Sequence, residues 1–274
     1  MRDNYLQSYY VVIDATLDRG TVEVRKRVLN DFFSHFDVVT EVSIAEFIKL
    51  CESKGNSRNT IHLKIGVLRL YIEYAGEHGE ENITPLLSMC KRYRPEVKLK
   101  DSVNMEEVET LLSWTKELKY RTLIALQAFG GLRVGEALKL RRSDDNGNWL
   151  HIRDPKNNRE RRAWIENEEL RNLLDEWEKE RETMAAYGDN DLLFPMVKRN
   201  SYQVFVGRLG KRLGIKVHTH TFRRFFVTHC VEQGLPLTSI AKQVGHATIA
   251  TTQLYVDDTP ALQEQMKNIW KVGA

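Results

Sequence analysis

A mainly α-helical chain with one small β-sheet, divided into two domains, is what the sequence predicts. Three observations carry that expectation. Apolar residues recur at helical spacing along most of the 274 residues. One pair of short apolar segments, flanking a polar turn at 154–158, reads as strands. Between a helical first third and the remainder lies Arg94-Pro95-Glu96-Val97-Lys98-Leu99-Lys100, where the apolar period stops and Pro95 disfavours helix at the residue before it. The expected division is a helical domain at 1–94, a linker at 95–103 and a second domain at 104–274.

The length suits two modest domains, each able to bury a core. A hydrophobic fraction of 42% fits a folded chain rather than a disordered one. No apolar run has membrane-spanning length, and the start, MRDNYLQSYY, lacks the basic-then-apolar order of a signal peptide, so a cytoplasmic protein is expected. Cys51, Cys90 and Cys230 are far apart, odd in number and without a CxxC pair, which argues against a disulfide framework and a zinc cage.

Taken in order, Val24, Val28, Leu29, Phe32 and Phe33 predict a helix over 21–36. Ser43 and Glu46 read as a capping box before Phe47, Ile48 and Leu50. Asn59 or Thr60 opens a helix carrying Ile61, Ile65, Leu68 and Ile72, with Gly76 at its end, and another helix spans about 84–93. In the second domain Asn104 caps a helix, 123–129 is a buried helix, and 149–153 with 163–165 form the strands. Asn167, Ser201 and Thr219 cap three further helices, and Pro260 suits the first turn of a last one with Leu262, Met266, Ile269 and Trp270 on one face. There is no internal repeat.

The net charge of +3 says little, but its distribution is uneven. Between Leu192 and Val231 there is no acid, while Lys198, Arg199, Arg208, Lys211, Arg212, Lys216, Arg223 and Arg224 all fall there. Five basic residues lie in 153–162 and five in 91–100, whereas acids gather in 166–182. Such segregation suits a surface facing phosphates, and each run taken alone is equally a solvated helix face. Arg58, Lys64 and Arg69 in the first domain carry the same two readings, DNA contact or solvated face.

Three scattered groups could carry chemistry. Arg133 follows a glycine turn after an apolar helix, His220 and Arg223 share one face at a helix start, and His246 precedes Tyr255 by nine residues. Two guanidiniums, two imidazoles and a phenol suit phosphoryl transfer. Arginine forks hold the non-bridging oxygens as they gain charge, and a tyrosine can attack phosphorus to give a covalent intermediate. Neither a carboxylate cluster for a metal pair nor a GxxxxGK[ST] loop is present, so no metal and no cofactor are expected.

In order and context these residues resemble the tyrosine recombinase (phage integrase) family, in its compact Xer-like and integrase-like members. Phe129-Gly-Gly-Leu-Arg-Val-Gly-Glu136 is similar to the family's first arginine motif. Thr219-His-Thr-Phe-Arg-Arg-Phe-Phe-Val-Thr-His229 resembles its His-x-Leu-Arg-His box, and Val244-Gly-His-Ala-Thr-Ile-Ala-Thr-Thr-Gln-Leu-Tyr255 its Leu-Gly-His, Thr-Thr, Tyr box. The likeness covers nearly all of the second domain and, more loosely, the first.

It implies a helical, SAM-like core-binding domain and a catalytic domain that form a clamp on DNA. Arg133 and Arg223 would grip the scissile phosphate, His220 and His246 would hydrogen-bond its oxygens, and His220 would take the proton of the attacking Tyr255. Lys156, in the turn between the strands, would protonate the leaving 5′ oxygen, and Glu136 would brace the site. The sequence departs from the family in Arg224, where a histidine is usual, in Thr219 and Phe222, and in Asn157 beside Lys156, with Arg153 and Arg159 as nearby competitors for the role of Lys156; Arg224 adds charge that could touch phosphate. The implied partners are double-stranded DNA with a specific site, further copies of the chain as a dimer on the site and a tetramer in synapse, and accessory proteins. Mobile-element integration or excision and dimer resolution both fit, with a type IB topoisomerase and a non-catalytic DNA-binding protein as rivals.

Overall fold

The computed structural model describes residues 5–96, 102–153, 160–188, 190–246 and 248–253. The chain divides into two compact units, Met1–Leu99 and Lys100–Ala274. Among the described residues the fold is helical apart from one two-stranded antiparallel sheet. No helix among them is long and apolar enough to cross a membrane.

The first unit holds α1 (Leu6–Thr16), α2 (Arg19–Phe33), α3 (Glu41–Ser53), α4 (Arg58–Glu77) and α5 (Ile83–Arg92). Its core is aromatic at the centre: Phe32, Phe47 and Tyr71 are fully buried, and Phe32 meets Phe47 edge-on with centroids 5.1 Å apart. Burying each such ring contributes about 1.5–3 kcal/mol. Several helix starts differ from expectation. Asp18, accepting from the N–H groups of Gly20 and Thr21, begins α2. Thr40, not Ser43, caps α3, and Ser43 sits at the third position, completing a reciprocal box. Ser57 rather than Asn59 or Thr60 caps α4, which runs through Gly76 to Glu77. Helix α1 was not foreseen. Apolar spacing marks a helix's body, but where several hydroxyl or amide side chains lie within one turn it does not choose among them.

The second unit holds α6 (Met105–Trp114), α7 (Leu118–Ala128), the single turn α8 (Val134–Ala137), β1 (Trp149–Ile152), β2 (Arg161–Trp164), α9 (Glu168–Glu182), α10 (Arg199–Leu213), α11 (Thr219–Glu232), α12 (Leu237–Val244) and α13 (Ile249–Gln253). Asn104 and Asn167 cap α6 and α9 as expected. Ser201 does not cap α10, which starts after Lys198, and Thr219 is the first residue of α11, whose cap is His218. Every residue of α7 from Thr122 to Ala128 is buried, because α6, α9 and α11 pack around it. A helix enclosed in this way has no polar face to show, which is why its segment is so apolar.

The strands pair Trp149 with Trp164 and Ile152 with Arg161. Leu150, Ile152 and Ala163 point into the core. Beyond β2, α12 takes the place of a third strand at one residue. The Gln243 side chain accepts from the Trp164 N–H at 3.0 Å and donates to the Trp164 carbonyl at 2.9 Å.

Candidate active site

The site is built around one buried carboxylate. The chain leaves α7 through Gly131, whose φ of +69° and whose contact with Phe226, 2.6 Å from where a Cβ would stand, admit only glycine. That turn buries Leu132 and makes Arg133 the cap of α8. Glu136, three residues on, accepts from the Arg133 backbone N–H at 2.7 Å and from its Nη1 at 2.8 Å. Arg161, from β2, lays its fork on the same carboxylate, Nη1 at 3.1 Å from Oε1 and Nη2 at 2.9 Å from Oε2. Arg223 stands 3.7 Å away. Burial alone would raise the Glu136 pKa, but the hydrogen bonds and charge of Arg161, the Arg133 backbone and the charge of Arg223 together hold it below its ordinary 4.5.

Arg223 comes from α11, whose first turn is fixed by a buried polar chain. Gln127 on α7 donates to the Thr219 carbonyl at 2.9 Å and accepts from the Tyr202 hydroxyl of α10 at 2.8 Å. Burial raises the Tyr202 pKa well above its usual value, so the phenol stays a donor. Arg223 is 6% exposed, and its Nη1 donates to the Gly131 carbonyl at 2.8 Å and its Nη2 to that of Val244. One turn earlier, His220 lies at the surface, where desolvation and then the charges of Arg199, His218, Arg223 and Arg224 lower its pKa. Arg224 bonds the His218 ring at 2.8 Å.

The third contribution comes from the end of α12. Gly245 turns the chain at φ +68°, and a Cβ there would sit 3.1 Å from Cδ and Nε of Arg161. Its carbonyl accepts from Arg133 Nη2 at 2.8 Å. His246 follows, with Nδ1 2.8 Å from the hydroxyl of fully buried Thr252 in α13. Burial, then the charges of Arg223, Arg133 and Arg161, push the His246 pKa down to about 4. The ring is therefore neutral at pH 7, one nitrogen donating and the other accepting.

This depression has a sign in stability. Between the ordinary value of 6.5 and the folded value of about 4, the unfolded chain binds a proton that the folded chain refuses. The contribution of His246 to stability is thus lost as pH falls from 6.5 towards 4. Melting temperatures recorded from pH 7 to 5 are expected to fall, and His246→Gln is expected to flatten that fall. An identical slope in the variant would show that His246 does not titrate in this way.

The structure thus brings Arg133, Glu136, Arg223 and His246 together, with His220 one helical turn from Arg223. Lys156 and Tyr255 lie outside the described residues, as does the expected C-terminal helix. The exposed basic residues of the acid-free stretch, including Arg199, Arg208, Lys211 and Lys216, leave Arg223 as its buried member. In the first unit, Lys64 is only 15% exposed and pairs with Asp31 at 2.8 Å. Arg69 lies 3.5 Å from Glu73, and Arg58 donates to the Arg94 carbonyl at 3.0 Å. The sequence reading gives Arg161 no role, and Thr252 none beyond membership of the Thr-Thr pair in the third motif. The signal for Arg161 is its place in the basic run 153–162, and for Thr252 that Thr-Thr pair between His246 and Tyr255.

Comparison with known proteins gives a consistent result. A family model described as the phage integrase family matches residues 101–261, more than half of the chain. The tyrosine recombinase XerA of Pyrococcus horikoshii is 26% identical over 253 residues, 88% of this chain and 84% of that protein. The tyrosine recombinase XerD of Listeria monocytogenes is 23% identical over 287 residues, 96% and 95% of the two chains. A lambda integrase solved as a tetramer bound to a Holliday junction shares the fold, with a TM-score of 0.76 over 93% of this chain and 76% of that one at 13% identity.

Proposed function

The chain belongs to the phage integrase family, and from that premise we propose that it is a cytoplasmic site-specific DNA recombinase, cleaving and rejoining strands through a 3′-phosphotyrosine and a Holliday junction. The observation that carries the reading is the meeting of Arg133, Arg223 and neutral His246 around Glu136, with Tyr255 following in the same segment. Residues 1–94 serve as the core-binding domain, 95–103 as linker and 104–274 as the catalytic domain.

In this mechanism Arg133 and Arg223 grip the non-bridging oxygens of the scissile phosphate, and His246 donates a hydrogen bond to it. Tyr255 attacks phosphorus and passes its proton to His220. The bond to the 5′ oxygen breaks, and that oxygen takes a proton from Lys156. A partner strand's 5′ hydroxyl then attacks the phosphotyrosine, restoring the phosphodiester and the tyrosine. Because the ester linkage is kept throughout, no external energy source is needed. Double-stranded DNA bearing a specific site is the substrate, with a dimer on each site and a tetramer in synapse. Integration or excision of a mobile element and dimer resolution are both served by this chemistry.

The test is covalent trapping. A duplex site is first selected by the protein from a random-sequence pool, nicked near the cleavage position, and incubated with the protein before denaturing electrophoresis. A protein–DNA adduct is expected, and paired intact sites should give recombinant strands. Relaxation of supercoils without recombinants would instead indicate a topoisomerase, and specific binding without any adduct a non-catalytic binding protein.

A further inference from the structure

Arg161 has no part in the chemistry above, yet its guanidinium makes three hydrogen bonds within the site. Its two terminal nitrogens take both oxygens of Glu136, at 3.1 and 2.9 Å, and its Nε donates to the Gln243 carbonyl at 2.8 Å. Its stem lies against Gly245, where a Cβ would stand 3.1 Å from its Cδ and Nε. The side chain is 11% exposed. One residue of β2 is thereby fastened to α8, which carries Arg133 and Glu136, and to the end of α12, which presents His246. It is also the first residue of β2, the strand that follows the segment containing Lys156 in the sequence.

The charges favour the same conclusion. Glu136 is shared by Arg133, Arg161 and Arg223, so three guanidiniums surround one carboxylate and leave an excess of two positive charges. A phosphodiester carries one negative charge, and the five-coordinate species formed on attack carries two. Without Arg161, Glu136 would be neutralised by the two arginines that face phosphate, drawing them inward and halving that excess. An arginine bound on both carboxylate oxygens resists rotation in a way a lysine cannot.

We propose that Arg161 is a positioning residue for strand cleavage: it holds the Glu136 carboxylate and the Gly245-His246 turn in one arrangement, so that Arg133, Arg223 and His246 meet the scissile phosphate correctly placed and with their charge unspent. The inference rests on the recombinase reading. Arg161 touches no reacting atom; it acts through Glu136 and through the turn.

The experiment measures adduct formation in single turnover on the selected nicked duplex, at saturating DNA and across pH, for the full-length chain and for R161Q, R161K, E136Q and the double variant E136Q/R161Q. R161Q is expected to cleave about a hundredfold more slowly, the usual effect of a small misplacement of catalytic groups. The DNA concentration at half-saturation should stay within about twofold, because the loss falls on the transition state. The acid limb of the pH profile should move to higher pH, since one cation near His246 is gone. R161K should restore the position of that limb but not the rate. The double variant should be no slower than R161Q, because residues that act through one another are not additive. A wild-type rate in R161Q, a defect confined to DNA affinity, or losses that multiply with E136Q would overturn the proposal. If R161Q fails to fold, R161K decides: about a tenfold loss at saturation supports the role of the fork, and a wild-type rate overturns it. Absence of an adduct from the unaltered protein would overturn the recombinase reading itself, which the variant rates alone cannot do.

Discussion

Tyr255→Phe is expected to bind the selected duplex as the unaltered protein does and to yield no covalent adduct at all. The substitution removes one oxygen and keeps the ring, so packing changes little while the nucleophile disappears. The placement of the neighbouring residues makes this the largest effect to be expected. Thr252 is fully buried and bonded to His246, and Tyr255 stands three positions further on in the sequence. The check is the denaturing gel, run beside a filter-binding or mobility assay on the same DNA. An adduct that survives the substitution would place the nucleophile on another hydroxyl.

The second large effect belongs to Arg223. Arg223→Lys is expected to slow cleavage at saturating DNA by about 10² to 10³, the usual consequence of removing one donor to a developing oxyanion. Lysine keeps the charge, but its single nitrogen cannot hold the Gly131 and Val244 carbonyls together as the arginine fork does. A buried carbonyl left without its donor costs about 1–3 kcal/mol, so the melting temperature should fall as well. Rates must therefore be compared below the melting range of the variant. A folded Arg223→Lys protein that cleaves at the unaltered rate would remove Arg223 from the chemistry.

Much of this site was legible in the sequence because its members sit in short contiguous motifs. Gly131 and Arg133 are two residues apart, His220 and Arg223 three, and Glu136 falls where a cap's third position must be. Arg161 was not legible, since an arginine in a basic run looks the same whether it faces water or a buried carboxylate twenty-five residues upstream. Partners distant in sequence also escape charge counting at Lys64, which it offers as a DNA contact or a solvated face and which the fold pairs with Asp31. Helix bodies followed from apolar spacing, whereas the starts at Thr40, Ser57 and His218 depended on which of several nearby caps the packing selected. The short helix α12 gave too few apolar repeats to stand out, though it carries the turn on which His246 depends.

The bond pair between Gln243 and Trp164 has a consequence for how copies of this chain can share a surface. A two-stranded sheet exposes backbone groups along its outer edges, and such an edge can recruit a strand from another molecule. At Trp164 both groups are already engaged by a side chain from the same molecule. A neighbouring protomer seeking to extend the sheet at that point would first have to displace Gln243, whose own carbonyl anchors Arg161. Strand addition here would therefore loosen the very residue that braces the carboxylate, and the edge is guarded by the integrity of the site it borders.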